Sequence, residues 1–327
     1  MAGVIADALK EPFVDAVTTK IEFLSRLAAK GKIKFVTGEE NIKWPLRSAG
    51  NSSAGSYGEG DSTPAAGEQT TGEAVLAWKR NRVVLKSDNL ARAVARGQGL
   101  VGFDTGWSME LEKGIADLLV EMESQLLSDG TGNSAKDITG ILAALSDSNT
   151  YAGIAQGAHT YWQCSQQAAS SAQVTWELIE QLIDTVEELQ QPGQSVGEIW
   201  TSRTQRRILR DKYGDRMRHT AEGGKGQFRP SSVFIGDAEV VALKGYTNTR
   251  LDVVDPNIWE YHILLQPEEA EGNGWMAEEL TGKAAFPLMV RPYGTGEDAK
   301  GVYLTVYSQL VCRWPRANGS LTGLATS

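Results

Sequence analysis

The chain has 327 residues, 41% of them apolar and 22% charged, with a formal net charge of −9. That balance belongs to a core-burying protein rather than a disordered one. It excludes a protein that grips nucleic acid by neutralising phosphates, which needs a basic surface. Cys164 and Cys312 sit in unrelated contexts, so neither a disulfide framework nor a zinc site is indicated. No apolar run approaches the ~20 residues of a membrane-spanning helix. The N-terminal MAGVIADALKEPF lacks the order of a secretory leader, and the expectation is a chain made in the cytoplasm, with no membrane partner.

In chain order, residues 8–30 space Phe13, Val17, Ile21, Leu24 and Leu27 at three- and four-residue steps and predict an amphipathic helix. The stretch from Gly50 to Glu73, GNSSAGSYGEGDSTPAAGEQTTGE, holds six glycines, four serines and one proline, which prevents a regular element. Its flanks, NIKWPLRS and AVLAWKRNRVVLKS, are rich in strand formers, with Ile42, Trp44 and Leu46 alternating with Lys43 and Pro45. The segment before it is too short for an independent core, so the stretch reads as the tip of a long hairpin arm and not as an interdomain linker. Every charged residue between Ser48 and Trp78 is acidic (Glu59, Asp61, Glu68, Glu73), and Lys79, Arg80, Arg82 and Lys86 follow at the root.

Residues 107–128 form the clearest predicted helix, with Trp107, Leu111, Ile115, Leu118, Leu119, Met122 and Leu126 on one face and Glu110 and Glu112 early in it, where the helix dipole favours negative charge. DGTGN closes it. A small-residue region of loops and short elements comes next, then a helix over 174–191, a buried strand at EIWTS and a short helix in SRTQRRILRDKYG capped by Ser202. From Ser231 the chain is a series of strands, the last alternating Val302, Leu304 and Val306 with Tyr303, Thr305 and Tyr307. Helices and strands do not alternate strictly, so the expected class is α+β.

Signals for chemistry are weak. The three histidines, His159, His219 and His262, are isolated from any ligand spacing, and no nucleophile elbow, zinc helix or phosphate loop is present. AEGGKGQ lacks the glycine spacing and hydroxyl of a phosphate loop, and DGTGNSAKD lacks the glycine and glutamate of a calcium loop. No catalytic residue, metal or cofactor is expected. The arginine-rich run from Arg203 to Arg218 has no pattern of interleaved stacking aromatics, Tyr213 being its one aromatic residue, which favours a solvated or subunit-contact face over nucleic acid.

The order of these parts, with LLSDGTGNSAKDITGILAAL followed by TYAGI, resembles the major capsid proteins of tailed bacteriophages with the Hong Kong 97-type fold. The resemblance implies an N-arm over 1–40, an extended E-loop hairpin over 41–87, a P-domain with a spine helix over 88–128, an A-domain over 129–280 and a return to the P-domain over 281–327. It implies a shell subunit without catalysis, found in the virion and assembled in the host bacterial cytoplasm. Other copies of itself, in hexamers and pentamers, would be its main partners, with packaged double-stranded DNA contained rather than read. A separate scaffolding protein, a portal and a decoration protein would be further ones. Residues 48–78 contain no lysine, so the lysine–asparagine crosslink of some relatives is not expected at the tip. Expected subunit contacts are Trp44, Tyr57, Glu59, Asp61, Trp78, Arg80 and Arg82 in the arm, Glu110 and Glu112 on the helix, and Arg203, Arg206 and Arg207. The competing readings are an encapsulin-like nanocompartment shell and a soluble α+β enzyme or binding domain.

Overall fold

The computed structural model describes residues 21–51, 53–56, 58–62, 67, 70–88, 103–191, 193–213, 234–265, 275–276, 287–294 and 299–326. Helix α1 (Phe23–Ala29) leads into β1 (Ile33–Thr37), β2 (Asn41–Arg47), β3 (Thr71–Ala77), β4 (Lys79–Asp88) and the long helix α2 (Phe103–Leu126). Single-turn helices and a two-residue strand pair fill much of the interval to β5 (Ser165–Ala168), which precedes α3 (Trp176–Glu187), β6 (Glu198–Thr201) and α4 (Arg203–Tyr213). Strands β7 (Phe234–Ile235), β8 (Ala238–Ala242), β9 (Arg250–Val254), β10 (Trp259–Leu265), β11 (Trp275–Met276), β12 (Pro287–Gly294), β13 (Ala299–Cys312) and β14 (Gly319–Thr322) complete the chain. The α+β expectation holds.

Two six-stranded sheets organise these elements. The first runs β1-β10-β13-β12-β11, with β4 also paired to β13; the second runs β5-β14-β9-β6-β8-β7. Strand β13 is the axis of the first. Its residues Ala299–Ser308 pair with β4, and Ser308–Cys312 with β10. Val302, Leu304 and Val306 point inward, as their alternation predicts. The boundary expected at 280/281 is not where the sheets divide: β10 belongs to the first sheet with β13, and β14 joins the second beside β9 and β5. Pairings between strands this far apart in sequence leave no local signal.

Helix α2 lies on β4, burying Ile115, Leu118, Leu119, Met122 and Leu126. At about 1.5 Å per residue it is ~36 Å long, enough to cross the domain. Gly114 permits the close approach, since a Cβ there would meet Leu85 Cδ2 at 2.8 Å. The DGTGN exit is a turn in which Asp129 Oδ1 accepts from Thr131 N at 3.0 Å and Thr131 Oγ1 at 2.7 Å, so that carboxylate is occupied by the turn itself.

The predicted helix over 174–191 is observed as α3, four residues shorter at its C-terminal end. Thr175 Oγ1 caps it by accepting from Leu178 N at 3.3 Å. Val174 before the cap and Ile179 after it are both fully buried in the same core, the arrangement of a hydrophobic staple. Ser202 caps α4 in the same way, accepting from Gln205 N at 3.3 Å. The second sheet has two apolar faces. Ile199, Val240, Leu251, Val253 and Leu321 pack with Ile179, Leu182 and Val186 of α3 and with Ile208 and Leu209 of α4. Trp200 and Val254 face the larger core shared by α1, α2 and the first sheet.

The helix predicted over 8–30 is described from residue 21 only, and there α1 covers Phe23–Ala29. It ties the two sheets together. Glu123 of α2, itself buried, accepts from the backbone N–H groups of Glu22 (2.9 Å), Phe23 (2.5 Å) and Leu24 (2.9 Å). Three orphan donors of the helix start are thereby satisfied from another element. Burial raises the Glu123 carboxyl above its usual range, and these amide donors oppose the shift. On the far side Arg26 donates through Nε (3.0 Å) and Nη2 (2.9 Å) to Glu198 of β6 and pairs with Glu239 of β8, while Lys30 also reaches Glu198. Phe23 stacks edge-on against Trp200, with centroids 5.0 Å apart.

Candidate subunit interfaces

Strands β2 and β3 form the predicted hairpin, in a register that sets Ile42 opposite Leu76, Trp44 opposite Ala74 and Leu46 opposite Gly72. One face is apolar: Ile42, Trp44, Leu46, Ala74 and Leu76 are all buried against the chain's own core. Trp44 packs near Trp162 (centroids 6.3 Å) and donates its indole N–H to the Arg313 carbonyl at 3.2 Å. This corrects the expectation of a subunit contact at Trp44: the side chain is an internal anchor, held by apolar burial and a satisfied indole donor. Trp78 is half-buried and donates to the Glu39 carbonyl at 2.9 Å.

Beyond Thr71 the hairpin changes character. Glu59 and Asp61 are exposed, and Asp61 Oδ2 accepts from Gly58 N at 2.5 Å in a tight turn that uses Gly60 at φ +92°. Among the described residues neither acid has an ion-pair partner. Tyr57 lies outside the described residues. The described tip residues are therefore mostly exposed, and their charges are of one sign, while the base is apolar and internally packed.

At the root, Arg80 and Arg82 are exposed on β4. The register places Tyr307 beside Arg80 and Thr305 beside Arg82, and the Arg80 guanidinium lies 5.5 Å from the Tyr307 ring centroid in a cation–π contact. These side chains border a cleft of about 1010 Å³ with Lys136, Glu121, Asn81 and Tyr303 on its other walls. Asn81 is buried and its amide nitrogen has no hydrogen-bond partner. The cleft combines three cations, the carboxylates of Glu121 and Asp137 and aromatic surface, a lining of mixed charge. Lys136 was not singled out by sequence, because it belongs to the turn after α2 and only the fold brings it beside β4.

Glu110 and Glu112 fall on α2, but their side chains lie outside what the structure describes. Arg203 at the start of α4 pairs with Glu22 at 2.6 Å and remains largely exposed; Arg207 is exposed and Arg206 half-buried. Burial and then the charges of Arg210 and Arg203 depress the Arg206 guanidinium below its usual value. The described contact candidates thus fall in separate places: the arm, the β4 cleft and α4. Among the described residues no cluster of histidine, cysteine or carboxylate side chains could hold a metal ion.

No family model and no curated protein matches the sequence. Solved structures do. The chain superposes on the cyanophage A-1(L) capsid subunit with a TM-score of 0.76 at 13% identity, covering 97% of each chain. The chain has the Hong Kong 97-type capsid fold. The capsid of a native GTA particle matches at TM-score 0.59 and 11% identity, over 96% of this chain and 95% of that one. An encapsulin complex from Synechococcus elongatus, the holo-SrpI particle, matches at 0.51 and 10%, over 99% and 96%.

Proposed function

We propose that the chain is the major head subunit of a tailed bacteriophage, which self-assembles into the icosahedral shell around the phage double-stranded DNA. The observation that carries this reading is the likeness to the cyanophage capsid subunit over 97% of both chains. Its support within the chain is the hairpin, anchored by Trp44 and Leu46 and extended into an exposed acidic tip. An arm that cannot bury itself at home is ordered by another copy, and many weak contacts repeated by symmetry make a stable shell. In this reading the hairpin is the E-loop, α2 the spine helix, the first sheet the P-domain wall and the second sheet with α3 and α4 the A-domain.

The role is structural and not catalytic. DNA is enclosed without sequence-specific contacts, consistent with a net charge of −9. A separate scaffolding protein, a portal and a decoration protein are the additional partners proposed, and the virion is the final location. The encapsulin likeness has the lower score, so a cargo-holding nanocompartment is the second reading. Expression in bacteria followed by negative-stain electron microscopy tests both. Closed polyhedral particles support a shell, and a chain that stays a ~35 kDa monomer under all assembly conditions contradicts it. Nuclease-protected DNA inside particles from infected cells separates the phage head from a compartment filled with protein cargo.

A further inference from the structure

Helices α3 and α4 lie on the same face of the second sheet, sharing one apolar core, but at different strands. Helix α3 covers β14, β5 and β9, while α4 packs on β8 toward the other edge. Their solvent faces are opposite in sign. On α3, Glu177, Glu180, Asp184 and Glu187 follow one another at steps of three, four and three, all exposed, and the helix contains no basic residue. On α4, Arg203, Arg206, Arg207 and Arg210 recur at steps of three, one and three, with Lys212 beyond them. Side chains at such steps share a helix face.

Neither stripe is neutralised by the described residues. Among the described residues none of the four acids of α3 has an ion-pair partner, and Arg203 alone on α4 has one, Glu22, from outside both helices. Like charges three and four residues apart weaken a helix, so each stripe is a standing cost to the isolated subunit. The crowding is felt on α4. Arg210 Nε is buried without a hydrogen-bond partner, and the Arg206 guanidinium is depressed by burial and by its two arginine neighbours. Two uncompensated stripes of opposite sign on one domain make it complementary to itself in a head-to-tail sense. Contacts of that kind close into rings when the rotation between copies allows.

We propose that the acidic stripe of α3 docks on the basic stripe of α4 in the next copy of this chain, and that this repeated contact closes the rings from which the shell is built. The inference rests on the shell reading and adds to it the surfaces and polarity of the ring contact. The occupant is a second copy and not nucleic acid, because α3 offers a charge-matched helix in every copy and no aromatic residue is interleaved among the arginines of α4, whose one aromatic, Tyr213, is its last residue.

The test is charge reversal in the full chain. An α3 variant (Glu180→Lys, Asp184→Lys, Glu187→Lys) and an α4 variant (Arg206→Glu, Arg207→Glu) are compared with wild type and with the chain carrying both sets. Like-charge juxtaposition across an interface is costly enough to lower the yield of rings and shells by about tenfold or more in either single set, and the combined set restores it. Mixing the two single-set proteins restores assembly through alternation, which closes only rings with an even number of members. Circular dichroism melts of each monomer check that reversal leaves the fold intact. If well-folded single-set variants assemble like wild type, or the combined set fails while both single sets melt normally, the α3–α4 contact is overturned with the shell reading untouched. If wild type forms no rings or shells, the shell reading falls first and this contact with it.

Discussion

The base and the tip of the β2–β3 hairpin are continuous in sequence and opposite in physics. At the base, Ile42, Trp44 and Leu46 turn one face into the core and are at most 9% exposed. At the tip, Glu59 and Asp61 are exposed and have no ion-pair partner among the described residues. The base is stabilised by burial in its own chain, whereas among the described tip residues the hydrogen bonds are local, such as that of Gly58 N to Asp61. Folding and assembly are therefore stored in different residues of one element, and a substitution can address one without the other.

Changes at the base should cost the most. Trp44→Ala removes a large buried side chain and leaves the Arg313 carbonyl without its donor, and a loss of about 3–5 kcal/mol is expected in chemical denaturation. A loss under about 1 kcal/mol would mean that the hairpin base is not part of the subunit core. Glu123→Ala comes next. It strands three buried N–H groups at the start of α1, with an expected cost of about 2–4 kcal/mol and early loss of protection of α1 amides in hydrogen exchange.

Smaller is the effect of Glu260. Burial alone would raise its carboxyl, but His262 at 2.9 Å, Lys34 at 2.8 Å and Arg313 at 3.0 Å hold it at about 2. A depressed carboxylate stabilises the fold above its unfolded value near ~4.3 and loses that contribution as pH falls toward 2. Wild type should exceed Glu260→Gln in stability by about 1 kcal/mol at pH 6, since Lys34 and Arg313 are near half exposed and screened. The gap should narrow as pH falls below about 4 and close only as pH passes below about 2; a constant gap would contradict the ion cluster. Smallest is Glu59→Gln with Asp61→Asn. It should change subunit stability by less than about 0.5 kcal/mol and yet reduce shell yield, which light scattering after mixing would report.

The contrast also explains what was legible in the sequence. The hairpin, the long helix, both later helices and the C-terminal strands were readable because each carries a local period and its own caps, such as Thr175 and Ser202. Trp44 was misassigned because tryptophan is enriched in cores and interfaces alike. The correcting signal lay beside it: Ile42 and Leu46 share its face, and three apolar residues on one face of a strand mark a core. The acidic stripe of α3 has a signal in the sequence, since Glu177, Glu180, Asp184 and Glu187 recur at helical spacing. The cleft beside Arg80 was not legible, because Lys136, Asn81 and Tyr307 meet only after β4 pairs with β13. The same holds for the clamp around Arg26, whose partners Glu198 and Glu239 are distant in sequence.

The central claim is that the hairpin tip serves another copy and not its own subunit. Electron microscopy of a chain lacking residues 52–70, paired with a thermal melt of the same preparation, addresses it most directly. The expected result is a subunit that melts close to wild type and forms no stable closed shells; normal shells from that deletion, or a subunit that no longer folds, would contradict the division between base and tip.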